Sequence, residues 1–119
     1  MTTSTTIEQS KRLIELGLDP CTADMVYISG APPHLNVIDE EYIKREMLDE
    51  YDVLAWSLSA LLEVMDEVSL DKHGDCYNMD FAYKGIFTDT HFDPIDAAVQ
   101  MVEMMMAQGH IKKGGCHGV

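Results

Sequence analysis

Asp80, Asp89, His91 and Asn78 are the residues whose types and spacing come closest to a reactive constellation in this chain. They fall in a stretch that alternates like a hairpin. Tyr77, Met79, Phe81 and Tyr83 alternate with Cys76, Asn78, Asp80 and Ala82, and beyond Lys84-Gly85 the residues Ile86, Thr88, Thr90 and Phe92 share one parity. A two-residue turn at Lys84-Gly85 predicts Tyr83 opposite Ile86, Phe81 opposite Thr88, Met79 opposite Thr90 and Tyr77 opposite Phe92. The same register sets Asp80 across from Asp89 and Asn78 across from His91 on the other face. Opposed carboxylates repel, so the arrangement suits a divalent cation or a divided acid/base pair, the chemistry of a metal-dependent or acid/base enzyme. The plainer reading is a wet face, with the repulsion relieved by water or by a lysine from a neighbouring strand. Lys84 is a poor residue for positive φ, so a longer turn with a bulge is the alternative register.

A second set is His110, Cys116 and His117, three metal-ligating types near a Gly-rich end. A structural zinc site wants four ligands at regular spacing, so an exposed tail that picks up metal adventitiously is the plainer expectation. Cys21 and Cys76 stand alone and read as small packing residues. Four of the nine methionines cluster at 101 and 104–106. Met105 and Met106 sit on the apolar face of a helix there, while Met101 and Met104 are expected to flank it or face outward. Outward methionines make an adaptable protein-binding surface, here a candidate homodimer seam.

The third set is acidic. Asp39 to Asp52 holds seven acids and two bases. If helical and one-faced, Glu40, Glu41, Glu46 and Glu50 would meet a basic partner or imitate spaced phosphates as a nucleic-acid mimic; otherwise they are a solvated helix face. No Walker loop, Gly-x-Gly-x-x-Gly, Gly-x-Ser-x-Gly, Cys-x-x-Cys or His-Glu-x-x-His occurs, and no cofactor is implied. Ser57 and Ser59 read as spacers in a buried helix rather than nucleophiles.

The whole chain carries 8 Lys+Arg against 21 Asp+Glu, a net charge of −13, which repels phosphate backbones and anionic membranes. At 119 residues it suits one domain that buries about two-thirds of its unfolded surface. We expect that domain over 1–111 and a flexible tail over 112–119. No apolar run approaches the ~20 residues of a membrane span. The start lacks a basic end followed by an apolar segment, and three cysteines without paired spacing argue for reduced thiols; a cytoplasmic location is expected.

The elements that must position these residues follow from the pattern. Thr5-Thr6-Ile7-Glu8 fits a capping box ahead of a helix to Leu16, ended by Gly17. Met25-Val26-Tyr27-Ile28 reads as a short strand, in an edge position, closed by Ser29 to Pro33. Leu54, Leu58, Leu61, Leu62 and Met65 recur at three and four, which predicts a buried helix over Val53–Asp66 with Trp56 anchoring its first turn. Asp71 to Asp75 is polar and loop-like. Asp93-Pro94-Ile95-Asp96 starts a closing helix that Gln108-Gly109 ends. The order predicts an α+β fold: a small antiparallel sheet centred on the 76–92 hairpin, packed on one face by helices.

Ala55-Trp56-Ser57-Leu58-Ser59-Ala60-Leu61-Leu62-Glu63, and Asp93 to Ile111 with its Asp-Ala-Ala-Val core and Gly-His-Ile-Lys ending, resemble a group of short, uncharacterised proteins of gut bacteria and their phages or mobile elements. Leu54 stands where that group has Pro. The resemblance implies a shared fold and a mobile-element setting, and brings no activity, cofactor or catalytic residue with it. From the acidity, the missing catalytic motifs and the outward methionines, the function expected is a non-enzymatic, acidic interaction or regulatory module whose protein partner the sequence does not name.

Overall fold

The computed structural model describes residues 3–28, 34–44 and 51–111, without the side chains of Glu40, Lys44 and Tyr83. Helix α1 (Ile7–Leu16) opens one residue later than the expected capping box. Thr6 is the N-cap: its hydroxyl accepts from the Gln9 N–H at 3.1 Å, and the Gln9 side chain accepts from the Thr6 N–H at 2.9 Å. Thr5 is instead fully buried. Its Oγ1 lies 2.7 Å from Ser10 Oγ and accepts from the Trp56 N–H at 3.1 Å, while its own N–H donates to the Trp56 carbonyl. A hydroxyl with two buried partners is worth more inside than as an exposed cap, and this moves the box by one. Gly17, at φ 97°, ends the helix as expected.

Strand β1 (Met25–Ile28) forms where the apolar run predicts it, but in the middle of a sheet rather than at an edge. It pairs antiparallel with β2 (His34–Val37) on one side and β3 (Val53–Ala55) on the other. Strand β3 corrects the expected Val53–Asp66 helix, which shrinks to α3 (Leu58–Glu63). Ser57 is the reason: its Oγ accepts from the Ala60 N–H at 3.1 Å, so the helix starts there. The residues before it extend and pair with Tyr27, Val26 and Met25. Between β2 and β3 lies the short helix α2 (Glu40–Lys44), begun by Asp39, whose Oδ1 accepts from the Tyr42 N–H. Residues 45–50 of the acidic stretch, with Glu46 and Glu50, lie outside the described residues.

A second antiparallel sheet, in the order β4-β5-β6, holds the hairpin. Strand β4 (Ser69–His73) takes up most of the stretch read as a polar loop. It joins β5 (Cys76–Phe81) through Gly74-Asp75, with Gly74 at φ 63°. The register from β5 to β6 (Ile86–Phe87) differs from the two-residue turn predicted. One turn of 3-10 helix over Ala82–Lys84, closed by Gly85 at φ 68°, lengthens the loop, so Phe81 pairs with Ile86 and Asp80 with Phe87. The slip is by two, and parity survives: Met79, Phe81 and Ile86 are buried. Beyond β6, Met79 N–H donates to Thr88 Oγ1 and Thr88 N–H to the Met79 carbonyl. One extra residue then intervenes before Tyr77 and His91 bridge in both directions at 2.6 and 2.7 Å. That extra residue puts His91 opposite Tyr77 and turns Phe92 outward, 82% exposed.

Helix α4 (Pro94–Ala107) starts and stops as expected, with Asp93 Oδ1 accepting from the Ile95 N–H at 2.9 Å and Gln108 as C-cap. It packs against β5, α3 and α1. Contact on three sides buries more than one helix face. Met101, expected to flank the apolar face or face outward, is instead fully buried, and Met104 packs at the edge of the core. One connected core joins Val26 and Leu54 of the first sheet, Met79, Phe81 and Ile86 of the second, and α4 from Ile95 to Met106. The fold is α+β, as expected, with two small three-stranded antiparallel sheets. Among the described residues, no helix is long and apolar enough to cross a membrane.

Candidate functional site

A connected set of polar side chains surrounds Trp56, at the junction of β3 and α3. Asp19 opens one turn of 3-10 helix over Pro20–Thr22: its Oδ1 accepts from the Cys21 N–H, and its carbonyl accepts from the Thr22 N–H and hydroxyl. Thr22 Oγ1 in turn accepts the indole Nε1–H of Trp56 at 2.9 Å. Two residues on, Asp24 holds the start of α3, accepting from the Ser57 N–H at 2.8 Å and from Ser57 Oγ at 2.5 Å. These bonds settle the role of Ser57. Its proton goes to Asp24 and its lone pair to the Ala60 N–H, so the hydroxyl is spent on capping. We expect Ser57→Ala to lower the unfolding free energy by about 1–2 kcal/mol in urea, whereas Ser59→Ala, exposed two residues on, changes it by less than about 0.5 kcal/mol.

Below this junction runs a groove of about 590 Å³, bordered by Leu18, Asp19, Asp24, Glu63, Val64 and Ile111. Three carboxylates on an open groove favour a cationic occupant. No motif marks Asp24 in the sequence, whereas Asp19-Pro20 repeats the helix-start signal of Asp93-Pro94.

The constellation predicted on the hairpin divides in two. Asp80 Oδ1 accepts from the Ser69 hydroxyl at 3.1 Å on the β4 side. Asp89 and His91 converge on Gln100 of α4 instead. Gln100 Oε1 accepts from the Asp89 N–H and lies 2.7 Å from His91 Nε2, and Gln100 Nε2 donates to Asp89 Oδ2. The amide oxygen can only accept, so His91 presents its Nε2 as a donor, and the network fastens the segment after β6 to α4. Opposite Asp80 stands Phe87, not Asp89.

His110 of the second set rests edge-on against Phe81, ring centroids 5.5 Å apart. Its companions Cys116 and His117 lie outside the described residues. Among the described residues, no three His, Cys, Asp or Glu side chains gather closely enough to hold a metal ion. Cys76 is a free thiol, but Cys21 is disulfide-bonded, against the expectation that all thiols are reduced. The expected cytoplasmic location therefore loses the support of the cysteines.

Of the interaction candidates, Glu41 is exposed, whereas Met101 is buried and offers nothing to a partner. The exposed large apolar side chains are others, notably Phe87 at 60% and Phe92 at 82%. The signal that could have found them is the alternative register with a longer turn and a bulge, which carries Phe92 off the core face. Arg12 and Glu103 tie α1 to α4 through a 2.6 Å ion pair; the hydrogen bond and charge of Glu103 hold the guanidinium pKa above its ordinary value. No family model, curated protein or solved structure matches the chain.

Proposed function

We propose that this protein is a non-enzymatic acidic interaction module that docks on the basic surface of a protein partner, an accessory factor in the mobile-element setting that its Ala55–Glu63 segment implies. The observation that carries this reading is the outward placement of Phe87 and Phe92 on a chain of net charge −13. Charge of one sign speeds and orients encounter, and exposed aromatics supply the apolar anchors that hold a complex once formed. Carboxylates at Glu8, Glu15, Asp39, Glu41, Glu63, Asp66, Glu67, Asp75 and Asp89 face water on several elements, which suits a broad electrostatic field. The enzymatic alternative draws less support, because Asp80 is engaged by Ser69 while Asp89 and His91 are engaged by Gln100.

The test is an affinity capture from nuclease-treated host lysate, eluted with salt and read by mass spectrometry. One basic partner in stoichiometric amount, released by salt, is the expected result. Phe87→Ala with Phe92→Ala should weaken its binding about tenfold or more with an unchanged far-ultraviolet circular dichroism spectrum. An empty eluate, or a partner indifferent to both salt and the Phe pair, refutes the reading.

A further inference from the structure

We infer that strand β2 is a self-complementary edge, at which two copies of this chain join antiparallel about a two-fold axis into one continuous sheet. The terminal strands of the two sheets are not alike. Strand β3 packs against α1, β6 is two residues long, and β4 carries Asp71 and Lys72. Cover, brevity and charge are the usual protections of a sheet edge. Strand β2 has none of them: it reads His34-Leu35-Asn36-Val37, and no described strand pairs with its outer side. His34 and Asn36 are exposed, and Val37 is 79% exposed.

The pairing with β1 dictates which backbone groups are on offer. Ile38 N–H donates to the Asp24 carbonyl at 2.9 Å, so Asp24 and Ile38 form a hydrogen-bonded pair of the ladder. Such pairs alternate with non-bonded ones, which makes Val26–Asn36 and Ile28–His34 bonded, and Met25–Val37 and Tyr27–Leu35 not. Leu35 and Val37 therefore aim their N–H and carbonyl groups away from β1, along the open edge. A second β2 laid antiparallel, with Asn36 on the axis, sets Leu35 opposite Val37 on both sides of that axis. In each pairing Leu35 N–H donates to the Val37 carbonyl, and Val37 N–H to the Leu35 carbonyl. On one face the exposed Val37 covers Leu35 of the second copy. On the other the two Asn36 amides meet, each with a donor and an acceptor for the other. There His34 lies across from Ile38, at a cavity of about 580 Å³ bordered by Ile28, Asn36, Ile38 and Tyr42. Between His34 and Ile38 there is no carboxylate, and Asp39 beyond them caps α2 by accepting from the Tyr42 N–H. The edge therefore suits a second copy better than a basic strand. The net charge of −13 on each copy opposes approach at long range and is screened by salt. Association at this edge should tighten as salt rises, the reverse of the release expected for the basic partner.

The experiment is sedimentation velocity of the full chain from about 5 to about 500 µM, at low salt and at about 0.5 M NaCl. The expected result is a monomer–dimer equilibrium that high salt shifts about threefold or more toward the dimer. Amide exchange followed by nuclear magnetic resonance should slow at Leu35 and Val37 as the dimer fills, and change little at Asn36, whose N–H is already bonded to β1. Val37→Pro removes an N–H that β1 does not use, at an edge position that admits proline. It should weaken dimerisation about tenfold or more, with the far-ultraviolet circular dichroism spectrum unchanged. Val37→Glu alters an exposed side chain and should weaken the dimer similarly, by setting a carboxylate against Leu35 of the second copy. A monomer under every condition, or a dimer indifferent to both variants, overturns the inference. So does an association that salt loosens, since that requires opposite charges in the seam.

Discussion

Trp56→Ala should be the most damaging single truncation in this protein, costing about 3–5 kcal/mol of unfolding free energy. Its side chain is fully buried and is the largest of the buried side chains. Two losses add. The indole leaves a cavity at the junction of β3 and α3, beside the Thr22 side chain, where Asp24 holds the start of α3 and limits its collapse. The Thr22 hydroxyl also loses the Nε1–H it accepts. Domains of this size are stable by only about 5–15 kcal/mol, so the variant should unfold at much lower urea, with the slope of the transition unchanged. Trp56→Phe separates the terms: it keeps most of the volume, forfeits the indole hydrogen bond and should cost about half as much. A loss below about 1 kcal/mol for Trp56→Ala would mean that the junction does not organise the fold.

Met101→Ala should cost about 2–5 kcal/mol, while Met104→Ala, one turn along the same helix, should cost about 1 kcal/mol. Met101 is 0% exposed, whereas Met104 only packs at the edge of the core. The comparison is sharp because residue type, helix and propensity are shared, so burial alone sets the two apart. It also separates two views of the methionine cluster. If Met101 lay in a homodimer seam, its truncation would act on association and make the unfolding midpoint depend on protein concentration. As a core residue it should lower the midpoint equally at every concentration, read by circular dichroism across a hundredfold dilution.

Local signals placed the helix ends and one strand. Asp93-Pro94, Gln108-Gly109 and Gly17 mark α4 and the end of α1 because caps depend on a residue and its immediate neighbours. Met25 to Ile28 reads as a strand from its side chains alone. Elsewhere two local solutions are both acceptable, and distant contacts choose between them. Leu54, Leu58, Leu61 and Leu62 suit one long helix, and equally a strand that feeds a helix at Ser57. Asp24, more than thirty residues earlier, accepts from Ser57 and favours the second. The hairpin register failed likewise, since a two-residue and a four-residue connection both keep Phe81 and Ile86 inside.

Sequence by itself therefore determined the class of the fold, the net charge, the end of α1 and both ends of α4, all properties of residues and their near neighbours. Tertiary structure alone decided which residues meet. It separated Asp80 from Asp89, handed Asp89 and His91 to Gln100, drew Met101 inside and turned Phe92 out. Each of these outcomes depends on a contact between elements distant in the chain. Such contacts are set by how much surface the whole molecule can bury at once, and no stretch of residues carries that quantity alone.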